Sequence, residues 1–410
     1  MSFGCPDPWE TGTERKGDHD LNNTELIKYR TELFRNASGF KKVDRVPHLS
    51  FAVTWKILDA GYKLSEGLRN YDVMTKAICA HQDKYNFDAI FELGVRNIVR
   101  LVDHLGGGTY IINDDIGAIE YKDNALVELD ELDEYMKDPT KFIWEKGMCK
   151  KYPKWADGTI AVADLQKCFD EQKAFLKYFS NMKKILSKQY GLPTFTAQSV
   201  PCYPGIDFLF NSILGIKNLS IIMRRDPGKV DEAVKVTNEF FQVPGIAALK
   251  KRKGPNPKAC YDYDIALLVH TILNRKQFDR WLWPDLKDQL DLLNEKDMTV
   301  RLFMEGHSKP FWDHLQDYKK GIITMHLEQD DPFECRQALP NCAILGGMDL
   351  LTLGNGTPEQ CVDRAKALID GLGALDGGFI LSQDKMVTYA VDAKSENMKA
   401  VSDFVLNYRG

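Results

Sequence analysis

A repeating unit of one short apolar run followed by one amphipathic helix fills the C-terminal part of the sequence. The apolar runs lie at 266–269, 300–304, 321–325, 343–347 and 378–382. Strands that alternate with helices form parallel sheets, because each helix returns the chain to the edge where the next strand begins. Earlier apolar runs near 46–52, 88–93 and 194–199 bring eight units within reach. The sequence therefore predicts a (β/α)8 TIM barrel. The alternative is an open doubly wound sheet, although no GxGxxG motif opens its first turn.

Two additions to the predicted barrel stand out. Residues 1–40 are expected to form an N-terminal arm and helix, and residues 41–410 a single barrel domain. Near 105–165 the rhythm is interrupted by glycines and short apolar stretches. That pattern predicts a β-rich insertion with turns, which could cover part of a cleft.

Composition narrows the class of protein. Of the 410 residues 44% are hydrophobic, which is enough for a sizeable core. The net charge of -5 argues against a nucleic-acid or anionic-membrane partner. We find no apolar stretch long enough to span a membrane, and the polar N-terminus does not look like a secretory signal. Nine cysteines without a CxxC pair are typical of free thiols, so a cytoplasmic location is expected.

Ionisable side chains follow two neighbouring apolar runs in the C-terminal part. Glu305 comes just after one run, and His326 and Glu328 come at the end of the next. In a parallel barrel the carboxyl ends of the strands share one face, where such folds carry their chemistry. Glu305 and His326 are 21 residues apart, about one repeat, so they could converge on a metal such as zinc. The alternative is that Glu305 caps a helix and His326 packs in the barrel mouth.

Several longer motifs resemble the uroporphyrinogen decarboxylase superfamily. They are RRDPGKVDEAV at 224–234, FMEG at 303–306, LGGMDLLTLGNGTPEQ at 345–360, GGFILSQDKM at 377–386 and SENMKAV at 395–401. The resemblance covers roughly residues 40–410, with the motifs in order and at the right spacings. It implies a (β/α)8 barrel and one of two chemistries: decarboxylation of a tetrapyrrole, or cobalamin-dependent methyl transfer.

Departures from the superfamily's patterns argue against decarboxylation and against a thiol as the methyl acceptor. The decarboxylases carry an arginine-rich segment after the first strand, whereas residues 53–72 here offer only Lys56, Lys63 and Arg69. The thiol methyltransferases use a His-x-Cys pair and a later Cys. Here Phe303 and Glu305 stand at the pair, and no cysteine falls near 383–385. Oxygen and nitrogen ligands are harder than thiolates and suit a thiol acceptor poorly.

The subgroup that this sequence resembles most is the substrate component of corrinoid-dependent O-demethylases. Its members cleave phenyl methyl ethers such as guaiacol or veratrole and pass the methyl group to cobalt(I) of cobalamin on a separate corrinoid protein. They bind zinc through two glutamates and a histidine, and Glu305 and His326 match the spacing of the last two. The first glutamate falls at Leu290 and is not matched. The third ligand stays open, with Asp384, His270 and Glu328 as candidates in that order.

The resemblance also implies roles for other side chains. Zinc would act as a Lewis acid on the ether oxygen. His270, Asp384 or a metal-held water would protonate the departing phenolate. Substrate contacts are expected from aromatic and polar residues near strand ends, with core packing or ordinary polar contacts as the alternative for each one. These residues are Phe51, Trp55, Glu92, Gln198, Tyr203, Phe208 and Phe311.

Other functions remain open from the sequence. A non-aryl donor such as a methylamine or a methanol derivative would use the same corrinoid partner. A barrel without activity could bind a corrinoid protein or a ligand, and tetrapyrrole decarboxylation is the remaining enzymatic alternative. The sequence also leaves open whether the chain forms a homodimer.

Overall fold

The computed structural model describes residues 21–91, 98–122, 125–197 and 202–410. Its strands are β1 His48–Ser50, β2 Ala89–Ile90, β3 Tyr110–Asn113, β4 Ala118–Tyr121, β5 Thr194–Thr196, β6 Ala259–Tyr261, β7 Tyr263–Leu267, β8 Val300–Met304, β9 Ile323–Leu327, β10 Ala343–Met348 and β11 Phe379–Gln383.

Helices connect these strands and surround the sheet. They are α1 Asn23–Ser38, α2 Trp55–Asp59, α3 Leu64–Arg69, α4 Tyr71–Tyr85, α5 Val99–His104, α6 Leu132–Lys137, α7 Pro139–Phe142, α8 Met148–Lys151, α9 Pro153–Ala156, α10 Val162–Tyr190, α11 Gly205–Phe208, α12 Gly215–Arg225, α13 Pro227–Asn238, α14 Gln242–Lys251, α15 Arg275–Gln277, α16 Trp283–Glu295, α17 Pro332–Ala338, α18 Leu350–Asn355, α19 Pro358–Gly371 and α20 Ser395–Asn407. Shorter 3₁₀ turns include Val269–Ile272, Lys309–Leu315 and Ala374–Asp376, and π-helical turns include Ile143–Gly147, Leu209–Leu214 and Phe278–Leu282.

The main sheet is parallel and curls into a barrel-like wall. Seven strands pair in the order β2-β1-β11-β10-β9-β8-β7. A second parallel pair, β5 with β6, continues that wall because β6 leads through a single residue into β7. At the other edge, the ring of Phe91 after β2 meets the ring of Phe195 on β5, with centroids 5.5 Å apart. The predicted barrel class is therefore confirmed as a TIM-barrel-like α/β fold.

The strand register sorts the interior side chains into layers. Arg301 on β8 is level with Thr324 on β9, and Phe303 is level with His326. His326 is in turn level with Leu345 on β10. Because alternate residues of a strand point to the same side, the next position up on β8 is Glu305 and the next on β9 is Glu328. The register therefore places His326 one layer below Glu305.

Helix α1 closes the amino end of the barrel. Asn22 and Glu25 form a capping box that fixes where the helix begins. Its Phe34 is fully buried and belongs to the same core cluster as Leu49 of β1 and Ile380 of β11. The helix predicted after residue 23 is therefore present, and it covers the end of the barrel opposite the catalytic face of such folds.

A buried ion cluster ties α1 to the first two strands. The carboxylate of Asp88 receives two hydrogen bonds of 2.6 Å from the guanidinium of Arg45 and lies 3.3 Å from Nε of Arg30. The three side chains are at most 1% exposed. Burial alone would raise the pKa of Asp88, but the two guanidinium groups outweigh it and hold that pKa below its ordinary value.

The insertion is mostly helical, so the prediction of a β-rich segment is only partly right. β3 and β4 form an antiparallel hairpin, and the short helices α6–α9 follow. Pro139 and Pro153 each occupy a first helical turn, where the missing backbone N–H has no cost. Asp138 caps the first of these helices through the backbone N–H of Lys141. These start signals outweigh the turn-like composition of the segment.

Two of the strands nearest the predicted site differ from their predicted bounds in a way that bears on it. β9 extends two residues beyond 325 and so includes His326, and β7 begins three residues before 266. A neutral, buried imidazole can continue an apolar strand, which explains the longer β9. Between β8 and β9, where the repeating unit predicts a helix, the structure has the 3₁₀ turn Lys309–Leu315.

One helical stretch, Gly205–Arg225, is long and apolar enough to cross a membrane among the residues that the structure describes. More than half of its most apolar window is buried inside the protein. Leu209 and Ile213 belong to the main hydrophobic core. A helix packed in a protein core gives the same signal.

Candidate active site at the carboxyl end of the barrel

Three rings form a floor across the barrel interior. Phe51 follows β1, Phe303 lies on β8 and His326 lies on β9, and all three are at most 1% exposed. Their centroids are 4.5 Å apart for Phe51 and His326, 4.7 Å for Phe303 and His326, and 5.3 Å for the two phenylalanines. These tilted and edge-to-face contacts are those that aromatic rings favour. These three side chains therefore form a buried, largely apolar layer across the barrel.

Below the floor lies a buried arginine that the sequence interpretation missed. Arg301 donates from Nε and Nη2 to the carboxylate of Asp264, at 2.6 and 3.2 Å, and from Nη1 to Nδ1 of His326 at 2.7 Å. Four phenylalanine rings surround its guanidinium, with centroids 4.3 to 5.9 Å from Cζ; they belong to Phe51, Phe91, Phe195 and Phe303. The signal was available, because a charged residue in an otherwise apolar strand must find a partner inside the fold.

Above the floor lies a layer of carboxylates. Glu305 follows β8, Glu328 follows β9 and Asp384 follows β11. Oε2 of Glu328 accepts a 2.7 Å hydrogen bond from the backbone N–H of Gly306, and Oε1 lies 3.7 Å from Nζ of Lys385. The predicted ligand beside the Glu305 loop is therefore Glu328, whereas His326 lies one layer below.

The Asp384 carboxyl group in this layer has a strongly shifted pKa. Burial raises its pKa to about 7, and the nearby charges of Asp349 and Glu328 act in the same direction. Backbone amides of Lys385 and Leu350 oppose the shift without cancelling it. Its Oδ1 is buried and has no hydrogen-bond partner within the described part of the chain. At neutral pH a large fraction of this carboxyl therefore carries a proton, as a general acid requires.

A glycine allows this close arrangement. Gly346 on β10 has a φ of +117°, which favours glycine over other residues. A Cβ at this position would lie 3.0 Å from the carbonyl oxygen of Leu327 and 3.3 Å from Cδ2 of His326. The GGM sequence at 346–348, within one of the motifs that resemble the superfamily, therefore has a physical role. It lets β10 approach the imidazole and the start of the Asp384 segment.

The contacts of His326 bear on the predicted zinc ligands. A ligating histidine needs one ring nitrogen free for the metal. Both nitrogens of His326 are engaged, Nδ1 with Arg301 and Nε2 with the carbonyl oxygen of Gln383 at 2.9 Å. Burial and the adjacent guanidinium lower the pKa of His326 far below its ordinary value. The predicted set of Glu305, His326 and Asp384 does not fit zinc in this arrangement, and zinc itself stays a prediction.

Other predicted site residues lie away from the floor. Trp55 is buried beside His81 and Tyr85 and donates from Nε1 to the carbonyl of Ala393. Phe311 is buried and stacks on Phe278 with centroids 3.9 Å apart. Both side chains pack in the hydrophobic core, which was the alternative to substrate contact.

The remaining predicted residues have mixed positions. His270 is 2% exposed in the turn after β7, and burial lowers its pKa to about 4. It is therefore neutral at neutral pH and a weaker candidate for the acid than Asp384. Tyr203 is 41% exposed, in the loop before α11. Glu92 and Gln198 lie outside the described residues.

Comparisons with known proteins agree with this architecture. Residues 209–408, a little under half of the chain, match the family model described as Uroporphyrinogen decarboxylase (URO-D). A solved methyltransferase from Methanosarcina mazei is similar with a TM-score of 0.56 at 13% identity, over 92% of this chain and 98% of that chain. No curated protein matches this chain in sequence. The resemblance to the superfamily is thus confirmed for the C-terminal part, and the structural likeness shows the fold.

Proposed function

We propose that this chain is a methyltransferase that removes the methyl group of a phenyl methyl ether and transfers it to a separate corrinoid protein. The observation that carries the proposal is a protonatable carboxyl group, Asp384, at the level above the apolar floor of Phe51, Phe303 and His326. The family match and the fold shared with a methyltransferase support the reaction class.

The floor favours an aromatic donor. A planar aryl ring can lie against buried rings and gain both apolar burial and ring contacts of about 0.5 to 1.5 kcal/mol each. Asp384 and Glu328 would then face the polar substituents of the substrate. Guaiacol and veratrole have this combination of a flat apolar ring and adjacent oxygen atoms.

Asp384 supplies the proton that the reaction consumes. The bond between the ether oxygen and the methyl carbon breaks, and its electron pair stays on the oxygen. Phenolate is a poor leaving group, so a proton delivered to that oxygen stabilises the departing product as a phenol. The methyl group forms a new bond to the acceptor, whose cobalt(I) supplies the electron pair for that bond. Asp384 regains its proton from solvent.

The acceptor is a substrate carried by the partner protein, and the barrel rim offers apolar side chains toward it. Leu351 on α18 is 75% exposed and Val391 after β11 is 79% exposed. The two segments touch, because a Cβ at Gly354 would lie 2.3 Å from the carbonyl oxygen of Val391. An apolar rim suits the hydrocarbon edge of a corrin macrocycle.

The carboxylate layer argues against tetrapyrrole decarboxylation. A uroporphyrinogen brings many carboxylates, which Glu328 and the ionised fraction of Asp384 would repel. Of the three basic residues in the segment after β1, Lys56 is fully buried and Arg69 pairs with Asp103 at 2.8 Å, which leaves Lys63 alone against so many carboxylates.

The same carboxylates favour a second candidate donor, a cationic methylated amine. Such a donor would gain from a negative layer above an aromatic floor. It differs from an aryl ether in needing no proton on its leaving group when it is quaternary. A substrate profile that compares methoxyarenes with methylamines separates the two candidates.

The direct test mixes the protein with reduced corrinoid protein and guaiacol or veratrole. We expect the cobalt(I) absorbance to convert to that of methylcobalt(III), with one phenol released for each methyl transferred. Conversion with methylamines alone would favour the second candidate. No conversion with any methylated donor would contradict the proposal.

Asp349→Asn is expected to shift the pH dependence of the reaction. Asp349 raises the pKa of Asp384, and its own Oδ1 accepts the N-cap hydrogen bond from Thr352 of α18. Asparagine can keep that cap while removing the charge. The pKa of Asp384 then falls, so activity should be lost on the alkaline side at a pH lower by up to about one unit. Profiles of kcat/KM against pH check this, and a limb that moves upward would contradict it.

A further inference from the structure

We propose that Arg301 and His326 are positioning residues, which form a hydrogen-bonded chain across the barrel and hold the segment that carries Asp384. These hydrogen bonds fix His326 as the neutral tautomer that carries its hydrogen on Nε2. The expected effect on catalysis rests on the proposed function, whereas the tautomer does not. The assignment replaces the metal-ligand role that the sequence predicted for His326.

The series of hydrogen bonds connects residues of four strands, β7, β8, β9 and β11. The carboxylate of Asp264 on β7 holds the guanidinium of Arg301 on β8, and Nη1 of Arg301 lies 2.7 Å from Nδ1 of His326 on β9. Nε2 of His326 lies 2.9 Å from the carbonyl oxygen of Gln383 on β11. The path runs beneath the carboxylate layer and ends one residue before Asp384.

The donor chemistry fixes the tautomer. A guanidinium group has only donors, so Nδ1 of His326 must accept from Arg301. A carbonyl oxygen can only accept, so Nε2 of His326 must donate to Gln383. The two contacts agree on a single neutral form. A metal at either nitrogen would have to displace one of these buried hydrogen bonds.

Gln383 is anchored at several points besides its carbonyl. Its Oε1 accepts a 2.7 Å hydrogen bond from the backbone N–H of Phe51, and its Nε2 lies 3.5 Å from the sulfur of Met398. The next backbone N–H, that of Asp384, donates to the carbonyl of Met348 at 3.0 Å. With its neighbour held this way, the Asp384 carboxyl has a defined starting point above the floor.

The shape of Arg301 suits this position and lysine does not. The guanidinium fork serves Asp264 with two nitrogens and His326 with the third, while phenylalanine rings enclose it. A lysine ammonium is a compact charge without that planar fork. Arg301→Lys should therefore retain the charge near Asp264 and lose the directed contact with His326.

The decisive measurement is the tautomer of His326 in the wild-type protein, which requires no substrate. Protein labelled with ¹⁵N at histidine is examined by long-range ¹H–¹⁵N NMR, and the ring signals are assigned with His326→Gln. The matched control is His314→Gln, since His314 is also largely buried but lies beside Asp279 and Asp313, outside the Arg301–His326–Gln383 hydrogen bonds. We expect the signals of His326 to report hydrogen on Nε2 and to stay unchanged when zinc is added or chelated. Hydrogen on Nδ1, or a ring signal that follows zinc, would overturn the assignment.

Kinetics of Arg301→Lys give the functional arm. Loss of orientation at Asp384 should lower kcat for guaiacol by about 10- to 100-fold while KM stays within about twofold. An unchanged kcat in folded protein would overturn the positioning role. If the variant does not fold, the NMR result on the wild type decides the question. If wild type lacks activity but shows the expected tautomer, the proposed function fails and the assignment of His326 survives.

Discussion

Asp384→Asn is expected to lower the rate of methyl transfer from guaiacol by about 100- to 10,000-fold, the range that general acids contribute. The asparagine amide has nearly the size of the carboxyl group and cannot release a proton to the ether oxygen. The loss should appear in kcat and in kcat/KM alike, because the proton is transferred in the transition state. Stopped-flow measurement of cobalt(I) consumption gives the rate.

The dependence on leaving group makes this prediction specific. Methoxyarenes whose phenols are strongly acidic need little help from a proton donor, so the variant should approach wild type with a nitro-substituted substrate. Asp376→Asn is the control, since Asp376 is exposed in a 3₁₀ turn away from the carboxyl end of the strands. An equal loss for good and poor leaving groups would assign Asp384 to substrate binding instead of acid catalysis.

Asp88→Asn should lower the free energy of unfolding by about 3 to 5 kcal/mol, the cost of leaving buried charges without their partner. Arg30 and Arg45 both face Asp88, and the amide that replaces the carboxylate cannot neutralise them. Urea unfolding followed by circular dichroism measures the change. Asp44→Asn is the control, because Asp44 is exposed and meets only the hydroxyl of Tyr29 among neighbouring side chains in the described structure. It should stay within about 0.5 kcal/mol of wild type.

The pH dependence of that difference follows from the pKa of Asp88. The folded-state pKa lies below the ordinary value of 3.8, so the stabilisation is present above that value. It is lost as the pH falls through the folded-state pKa. The gap between wild type and Asp88→Asn should therefore narrow in acid. A gap that stays constant down to the acid transition would contradict a stabilisation that comes from the charge of Asp88.

The sequence predicted the barrel because strand and helix units recur at a regular spacing, and burial of both sheet faces demands apolar strands. The same regularity led to a wrong interpretation of two residues, Arg301 and His326. Arg301 was included in an apolar run, although its charge is satisfied by Asp264 from a neighbouring strand. His326 was placed past the end of β9, whereas the strand continues through it. Neither contact is visible in one strand, because each depends on the register between strands.

Asp384 was named from the sequence as a candidate metal ligand and as one of two candidate side chains for the proton donor, without a basis for choosing it over His270. The raised pKa of Asp384 depends on how deeply the loop after β11 is buried and on the approach of Asp349, which are properties of the folded barrel. The insertion was misjudged for a related reason. Its glycines and short apolar stretches indicated turns, while Asp138 and the two prolines of α7 and α9 begin helices.

A single turnover with guaiacol carrying ¹³C in its methyl group tests the central claim most directly. The protein is mixed with one equivalent of reduced corrinoid protein, and both products are analysed by NMR and mass spectrometry. We predict that the label is recovered on the corrinoid and that an equal amount of catechol, the demethylated phenol, is formed. Catechol formed without label on the corrinoid, or no catechol at all, would contradict the account.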